Sequence, residues 1–293
     1  MKSNADSFAI LTDTTKCTGC ETCVGACKAA NDLGRDQPWP WQDKIDDLSS
    51  TRFTTIIRRP GPHFVRQQCR HCQEPACASA CLVGALQKTE EGPVIYDGNK
   101  CMGCRYCMMA CPYGIPRYDW NQAVPYVRKC TMCYQRLEEG KQPACTEACP
   151  VGATLFGKLS ELLAEAHRRI ARNPGRYIDR VYGEHEVGGT CVLYISDIPL
   201  DFLGWKSDLG TTPLPKLTWA SLTKVPPVML GMAGLMTGMY FVIGRRMKIQ
   251  AEAARAAAAA DGEPATDTPQ SGAVGDNNEP KQDKQESAGP EHE

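Results

Sequence analysis

Cys17-Thr18-Gly19-Cys20-Glu21-Thr22-Cys23-Val24-Gly25-Ala26-Cys27 decides how the chain is read, because its cysteine spacing returns unchanged at Cys101, Cys104, Cys107 and Cys111. Two looser copies stand at Cys69, Cys72, Cys77, Cys81 and at Cys130, Cys133, Cys145, Cys149. In both the second gap widens while the closing CxxxC is kept, so the insertions fall at one loop position of an internal repeat. Of 17 cysteines in 293 residues, 16 belong to these groups. That concentration excludes an ordinary soluble enzyme core. Residues 261–293 carry a net charge of -7, which leaves residues 1–260 at +6. This balance is too mild for nucleic-acid binding, and no interleaved aromatic-basic face accompanies it; it suits a body that encloses anionic centres.

Sulfur at this spacing points to iron-sulfur cubanes. Each iron of a 4Fe-4S cluster needs one thiolate, and CxxCxxC supplies three corners from one tight loop. The fourth cysteine, followed by proline in Cys111-Pro112 and Cys149-Pro150, begins a helix that points to a second cubane. Two motifs then exchange their last ligands, the bacterial two-cluster ferredoxin pattern. Zinc would take cysteine pairs and leave a third cysteine idle in every group. Disulfides would require cysteines two residues apart all to find partners at acceptable Cα separation, which they cannot. Sixteen ligands predict four 4Fe-4S clusters.

Lys16, Lys100 and Lys129 each precede the first cysteine of a group. A cation there offsets cluster charge and raises its potential, or else is simply a lysine in a solvated turn. Cys191 stands alone in the strand-like run Gly188 to Ile195 and reads as a buried free cysteine. His63, His71, His167, His185 and His292 show no metal-ligand spacing, with a surface or packing role expected for His71, and the absence of CxxCH argues against covalent haem. The chain has no phosphate-cradling glycine loop and no nucleophile-base set, so it reads as a non-catalytic electron carrier.

Short strands are expected at Phe53 to Ile57, Phe64-Val65 and Pro93 to Asp97, and Asp36 to Ser50 reads as an inserted loop. Ser160 to Ala171 reads as an amphipathic helix capped by Ser160 and ended by Asn173-Pro174-Gly175. From Val225 to Gly244 there are 20 residues without a charge. At about 1.5 Å per residue they span roughly 30 Å, so one transmembrane helix is predicted. Pro226 and Pro227 suit its first turn, Trp219 a membrane interface, and Arg245, Arg246 and Lys248 close its far end. Gly234 and Gly238 form a GxxxG pair that permits close approach of another helix. Residues 249–293, Ala-rich and then acidic, are expected to be disordered. Met1 to Lys16 has neither a sustained apolar run nor a twin-arginine pair, so no N-terminal signal peptide is expected and the sequence leaves location to be decided another way.

Four ferredoxin-type groups, then Tyr182-Gly183-Glu184-His185-Glu186-Val187-Gly188-Gly189-Thr190, then one C-terminal apolar helix, resemble the iron-sulfur subunits of membrane-bound respiratory oxidoreductases. The likeness is to the HybA-type hydrogenase and formate dehydrogenase N beta-subunit family, over roughly residues 10–245. It implies an α+β fold of two nested ferredoxin-like lobes: residues 1–59 and 125–200 form lobe A, and residues 60–124 lobe B. An extended linker at 201–224, a transmembrane helix at 225–244 and the disordered tail follow. It further implies that group one pairs with group four, and group two with group three. One cluster then has Cys17, Cys20, Cys23 and Cys149, and its neighbour Cys130, Cys133, Cys145 and Cys27. A third has Cys69, Cys72, Cys77 and Cys111, and a fourth Cys101, Cys104, Cys107 and Cys81. The implied partners are a catalytic subunit of the NiFe hydrogenase or Mo/W formate dehydrogenase type and a membrane subunit that is quinone-reactive or carries b-haem. A polysulfide-reductase-like or multihaem-cytochrome-linked complex is the alternative. The implied location is the bacterial inner membrane, with the cluster region on the periplasmic side, reached by export with a signal-bearing partner. Basic residues flanking the span favour a cytoplasmic tail by a margin of one. Each lobe is small for an apolar core, so iron removal is expected to leave an unfolded apoprotein, which circular dichroism would register as lost secondary structure.

Overall fold

Phe8-Ala9-Ile10-Leu11-Thr12-Asp13 is buried along nearly its whole length, as a central strand must be. The computed structural model describes residues 6–34, 48–59, 61, 63–120, 126–201 and 209–260. Its strands are β1 (Phe8–Asp13), β2 (Thr54–Arg59), β3 (His63–Gln68), β4 (Leu86–Lys88), β5 (Val94–Tyr96), β6 (Arg117–Tyr118), β7 (Val127–Arg128), β8 (Thr154–Lys158) and β9 (Val192–Ile195). Its helices are α1 (Thr22–Ala30), α2 (Ala76–Ser79), α3 (Tyr106–Ala110), α4 (Tyr134–Glu138), α5 (Ala144–Glu147), α6 (Leu159–Arg172), α7 (Leu214–Leu222) and α8 (Val225–Ala260).

β1 is the middle of a three-stranded sheet. It runs antiparallel to β8, with Phe8 opposite Lys158 and Thr12 opposite Thr154. It runs parallel to β9, with Ile10 opposite Val192 and Asp13 opposite Ile195. Among the described residues between β1 and β8 are three two-stranded hairpins, β2-β3, β4-β5 and β6-β7. The strands expected around Phe53, Phe64 and Val94 are β2, β3 and β5. The inserted loop lies outside the described residues except for its last three.

α6 covers the sheet. Leu159, Leu162 and Ala166 recur at helical spacing and are buried with Ile10, Leu11 and Val192 to Ile195 in the largest apolar cluster. Arg169 in its last turn reaches Asp13 Oδ2 at 3.1 Å, tying the helix C-terminus to β1. Ser160 is not the cap: β8 runs directly into the helix, so Lys158 takes the cap position and Ser160 falls inside the first turn.

The chain divides after Val225. Within the first unit, α7 replaces part of the linker expected to be extended. Pro215 fits its first turn, where no backbone N–H is needed, and α7 packs against α2, with Lys216 bonded to Glu74 at 2.9 Å. The expected end of the apolar helix also needs correction. α8 continues 16 residues beyond Gly244, because Met247 to Ala260 is built largely from Ala, Glu, Gln, Arg and Lys, all strong helix formers. The tail expected to be disordered is therefore helical up to Ala260, and residues 261–293 lie outside the described set. No side chain of α8 is buried in the chain alone, and it is long and apolar enough to cross a membrane.

Leu162→Ala removes a buried side chain from the α6 face and is expected to cost about 2–5 kcal/mol. The measurement is a lowered urea midpoint of the iron-loaded protein, with the Leu163→Ala change, on a partly buried position, costing less.

Candidate metal centres

The four cysteine loops share one backbone device. The residue before the second cysteine is left-handed in every group: Gly19 (φ 71°), His71 (φ 48°), Gly103 (φ 75°) and Met132 (φ 57°). This turns the CxxC loop tightly enough for both sulfurs to face one side. His71 and Met132 hold the conformation against the steric cost of a Cβ, and both are buried. At Gly19 the demand is stricter, since a Cβ would lie 2.4 Å from the Phe64 ring. A second device follows the last cysteine in groups two, three and four, where Gly84, Gly114 and Gly152 donate their N–H to the carbonyls of Cys81, Cys111 and Cys149 at 3.1–3.3 Å. Groups one and three also share the entry. Asp13 and Asp97 cap short 3-10 turns by accepting the N–H of Thr15 and Asn99, and the turns end at Lys16 and Lys100.

The fold gathers the sulfurs into four neighbourhoods. Cys17, Cys20, Cys23 and Cys149 line one cavity, closed by Ile56 and Arg66. Cys27, Cys133 and Cys145 influence one another, and Cys130 is close to all three. Cys72 faces Cys111, Cys69 and Cys77. Cys107 faces Cys101, Cys81 and Cys104. In each neighbourhood three sulfurs come from one group and the fourth from another. α1 packs on α5, and α2 on α3, which carries group one to group four and group two to group three.

The neighbourhoods also have an order. Cys23 and Cys145 share an apolar cluster with Val24 and Ile56, joining the first to the second. Cys27 and Cys130 pack with Cys69 around Leu48, Phe53 and Ile115, joining the second to the third. Cys77 and Cys107 pack with Leu86, Val94 and Tyr118, joining the third to the fourth.

These residues fit an inorganic core wider than one ion. Each neighbourhood offers four thiols, one for each iron of a cubane, and among the described residues no three Cys, His, Asp or Glu side chains are placed to hold a single metal ion. Burial, reinforced by neighbouring thiols, pushes Cys23 and Cys107 up to about 11 and Cys27 and Cys77 up to about 12. Thiols so crowded ionise only when bound cations compensate them. Donors already point at sulfur: Ala85 N to Cys81 at 3.2 Å, Met132 N to Cys130 at 3.3 Å, and Thr22 Oγ1 to the exposed Cys20 at 3.3 Å. The hydroxyls of Tyr96 and Tyr118 lie near Cys101, with the Val127 backbone also beside Tyr96 and Arg105 beside Tyr118.

A family model described as a 4Fe-4S dicluster domain matches residues 62–159. A protein of Nitratidesulfovibrio vulgaris is 46% identical over 274 residues, covering 87% of this chain and 73% of the relative. The hydrogenase-2 operon protein HybA of Escherichia coli O157:H7 is 37% identical, with 67% of this chain and 72% of the relative covered. The chain belongs to the ferredoxin-type iron-sulfur subunits of respiratory oxidoreductases. The iron-sulfur subunit of the nitrate-inducible formate dehydrogenase of Escherichia coli K12 is 35% identical over 207 residues, covering 64% of this chain and 67% of that protein. An iron-sulfur subunit of this kind holds 4Fe-4S clusters, which take up and release single electrons, and is not itself the catalytic component.

The three lysines of this iron-sulfur subunit divide. Lys16 is exposed and Lys100 pairs with Asp97 at 3.3 Å, so both sit in solvated turns. Lys129 is 3% exposed, donates to the carbonyls of Val94 and Cys130, and its charge favours the Cys77 thiolate. His71 is buried, and its Nδ1 accepts the Val94 N–H at 2.9 Å. Burial first, then Lys129 and Lys88, hold it well below its ordinary value, so it stays neutral. Cys191 is fully buried, receives Lys88 Nζ and Gln73 Nε2, each at 3.4 Å, and lies within reach of the charge of Cys69.

The Tyr182 to Thr190 stretch braces group two from outside. Its buried Glu186 accepts Gly183 N–H at 2.7 Å and Arg180 Nη2 at 2.6 Å, which fixes the loop. Gly189 O then accepts the N–H of Gln73, and two residues further on Cys191 donates its N–H to the Arg70 and His71 carbonyls. Sequence reasoning missed two features of the site. The Asp at four residues before Cys17 and Cys101 was a readable signal; Arg66, three residues before Cys69 in β3, carried none.

Gly19→Ala places a Cβ at positive φ, a cost of about 1–2 kcal/mol before the clash with Phe64, and is expected to strip iron from the first neighbourhood. Gly25→Ala, on α1 with nothing within 4 Å of the new Cβ, is expected to keep it. Iron per chain after purification decides.

Proposed function

We propose that this protein relays electrons through four 4Fe-4S clusters, held in two nested lobes, between a catalytic subunit and a membrane subunit of a respiratory complex. The observation that carries the reading is the ordered series of four sulfur neighbourhoods, each with four cysteines. The first cluster takes Cys17, Cys20, Cys23 and Cys149, and the second Cys27, Cys130, Cys133 and Cys145. The third takes Cys69, Cys72, Cys77 and Cys111, and the fourth Cys81, Cys101, Cys104 and Cys107. Lobe A comprises residues 1–59 and 125–200, and lobe B residues 60–124. Both ends of the series approach the surface: Cys20 is exposed at one, and exposed Leu82, Met102, Tyr106 and Met109 flank the other.

The two ends have different partners in this reading. The exposed apolar side chains Leu82, Met102, Tyr106 and Met109 fit the fourth cluster's end to receive the membrane subunit, a quinone-reactive or b-haem protein, and the first cluster receives the catalytic subunit. α8 anchors the protein in the inner membrane, and the cluster region faces the periplasm. A hydrogenase or formate dehydrogenase type of catalytic partner is favoured because those relatives align over 236 and 207 residues. A subunit of the anaerobic dimethyl sulfoxide reductase of Escherichia coli K12, 38% identical, aligns over 164, which makes a reductase of that kind the second reading.

Purification of the native complex from membranes is expected to yield about sixteen irons per copy of this protein, four per cubane, and a larger catalytic subunit identifiable by mass spectrometry. Ending the chain at Lys224 is expected to move it to the soluble fraction with its iron retained. About eight irons, or recovery of the full-length protein free of any partner, would overturn the reading.

A further inference from the structure

Arg66 is the most deeply buried cation near the sulfurs. It lies on β3 at 1% exposure, and its backbone carbonyl accepts the Tyr194 hydroxyl at 2.9 Å, which pins that strand position. None of its three guanidinium nitrogens has a nitrogen or oxygen partner among the described residues, and the Cys145 thiol is the group placed to accept from it. Among the described residues no carboxylate pairs with it. A buried guanidinium normally survives only beside an anion, since losing water disfavours its charge strongly. The groups it faces instead are Cys145 and Cys23, with Cys17 and Cys27 also within reach of its charge. It forms part of the wall of the cavity that Cys17, Cys20, Cys23 and Cys149 line. Cys17 and Cys23 belong to the first neighbourhood, Cys27 and Cys145 to the second, so one guanidinium serves both.

We propose that Arg66 is a fixed positive charge that sets the potentials of the first and second clusters together, raising both. The inference rests on the four-cluster reading above. Reduction adds one electron to a cluster, and a nearby cation in a water-poor setting stabilises the added negative charge. Because the side chain stays protonated throughout the physiological range, its effect is constant with pH. The third and fourth clusters lie beyond its neighbours and feel it least. Arg66 is a positioning charge and not a ligand, so its removal leaves every cubane with four sulfurs.

The test uses the intact membrane complex carrying Arg66→Met, Arg66→Lys or no change. Iron and acid-labile sulfide are measured first, then redox titration is followed by electron paramagnetic resonance. With Arg66→Met, two of the four transitions are expected to fall so that the reduced-to-oxidised ratio at a fixed potential drops at least tenfold, 59 mV for a one-electron couple. The other two are expected to hold, and Arg66→Lys is expected to restore most of the shift. Full iron with four unmoved midpoints overturns the proposal, as does an equal shift of all four. Should Arg66→Met lose iron, Arg66→Lys decides: wild-type midpoints support the charge, whereas displaced midpoints or lost iron show a purely structural residue. A wild-type iron count near eight would instead overturn the four-cluster reading.

Discussion

A thiol buried beside three or four others resists ionisation twice, through lost hydration and through repulsion by its neighbours. Cys23, Cys27, Cys77 and Cys107 all show this, pushed up to about 11 or 12. A chain gains nothing from such crowding unless strongly charged ions occupy the space between the sulfurs. Most of the surrounding structure makes sense as a response. Left-handed turns aim paired sulfurs one way, backbone N–H groups approach Cys81 and Cys130, and two buried cations, Arg66 and Lys129, stand where the sulfurs are densest.

The apolar interior is divided accordingly. Among the described residues only the cluster under α6 is made mainly of aliphatic packing; the other three are built around cysteines, with few large side chains in each. Cysteine supplies the contacts that Leu and Ile would supply elsewhere. Packing and ligation therefore share the same atoms, and what disturbs one disturbs the other.

The cysteine spacing made the repeats and the 4Fe-4S cofactor readable, because thiolate geometry leaves few other uses for CxxCxxC followed by CxxxC. The hairpins near Phe53, Phe64 and Val94 were readable from apolar runs between turn residues. Helix limits were less so. Lys158 displaced Ser160 as the cap because β8 enters α6 without a loop, and Ala-rich composition after Gly244 suits a helix as well as a tail. Lys129 and Lys16 look identical in sequence; only tertiary placement makes one buried and the other exposed. Arg66 was invisible for the same reason, since a strand arginine is ordinarily a surface residue.

β1 lies between strands that come much later in the chain, β8 from Thr154 and β9 up to Ile195. During synthesis the N-terminal segment thus waits for its neighbours until the ribosome has delivered every metal-binding loop, while β2 to β7 already possess theirs. Maturation has a built-in direction: the middle of the polypeptide can settle early, and the two flanks close around it last.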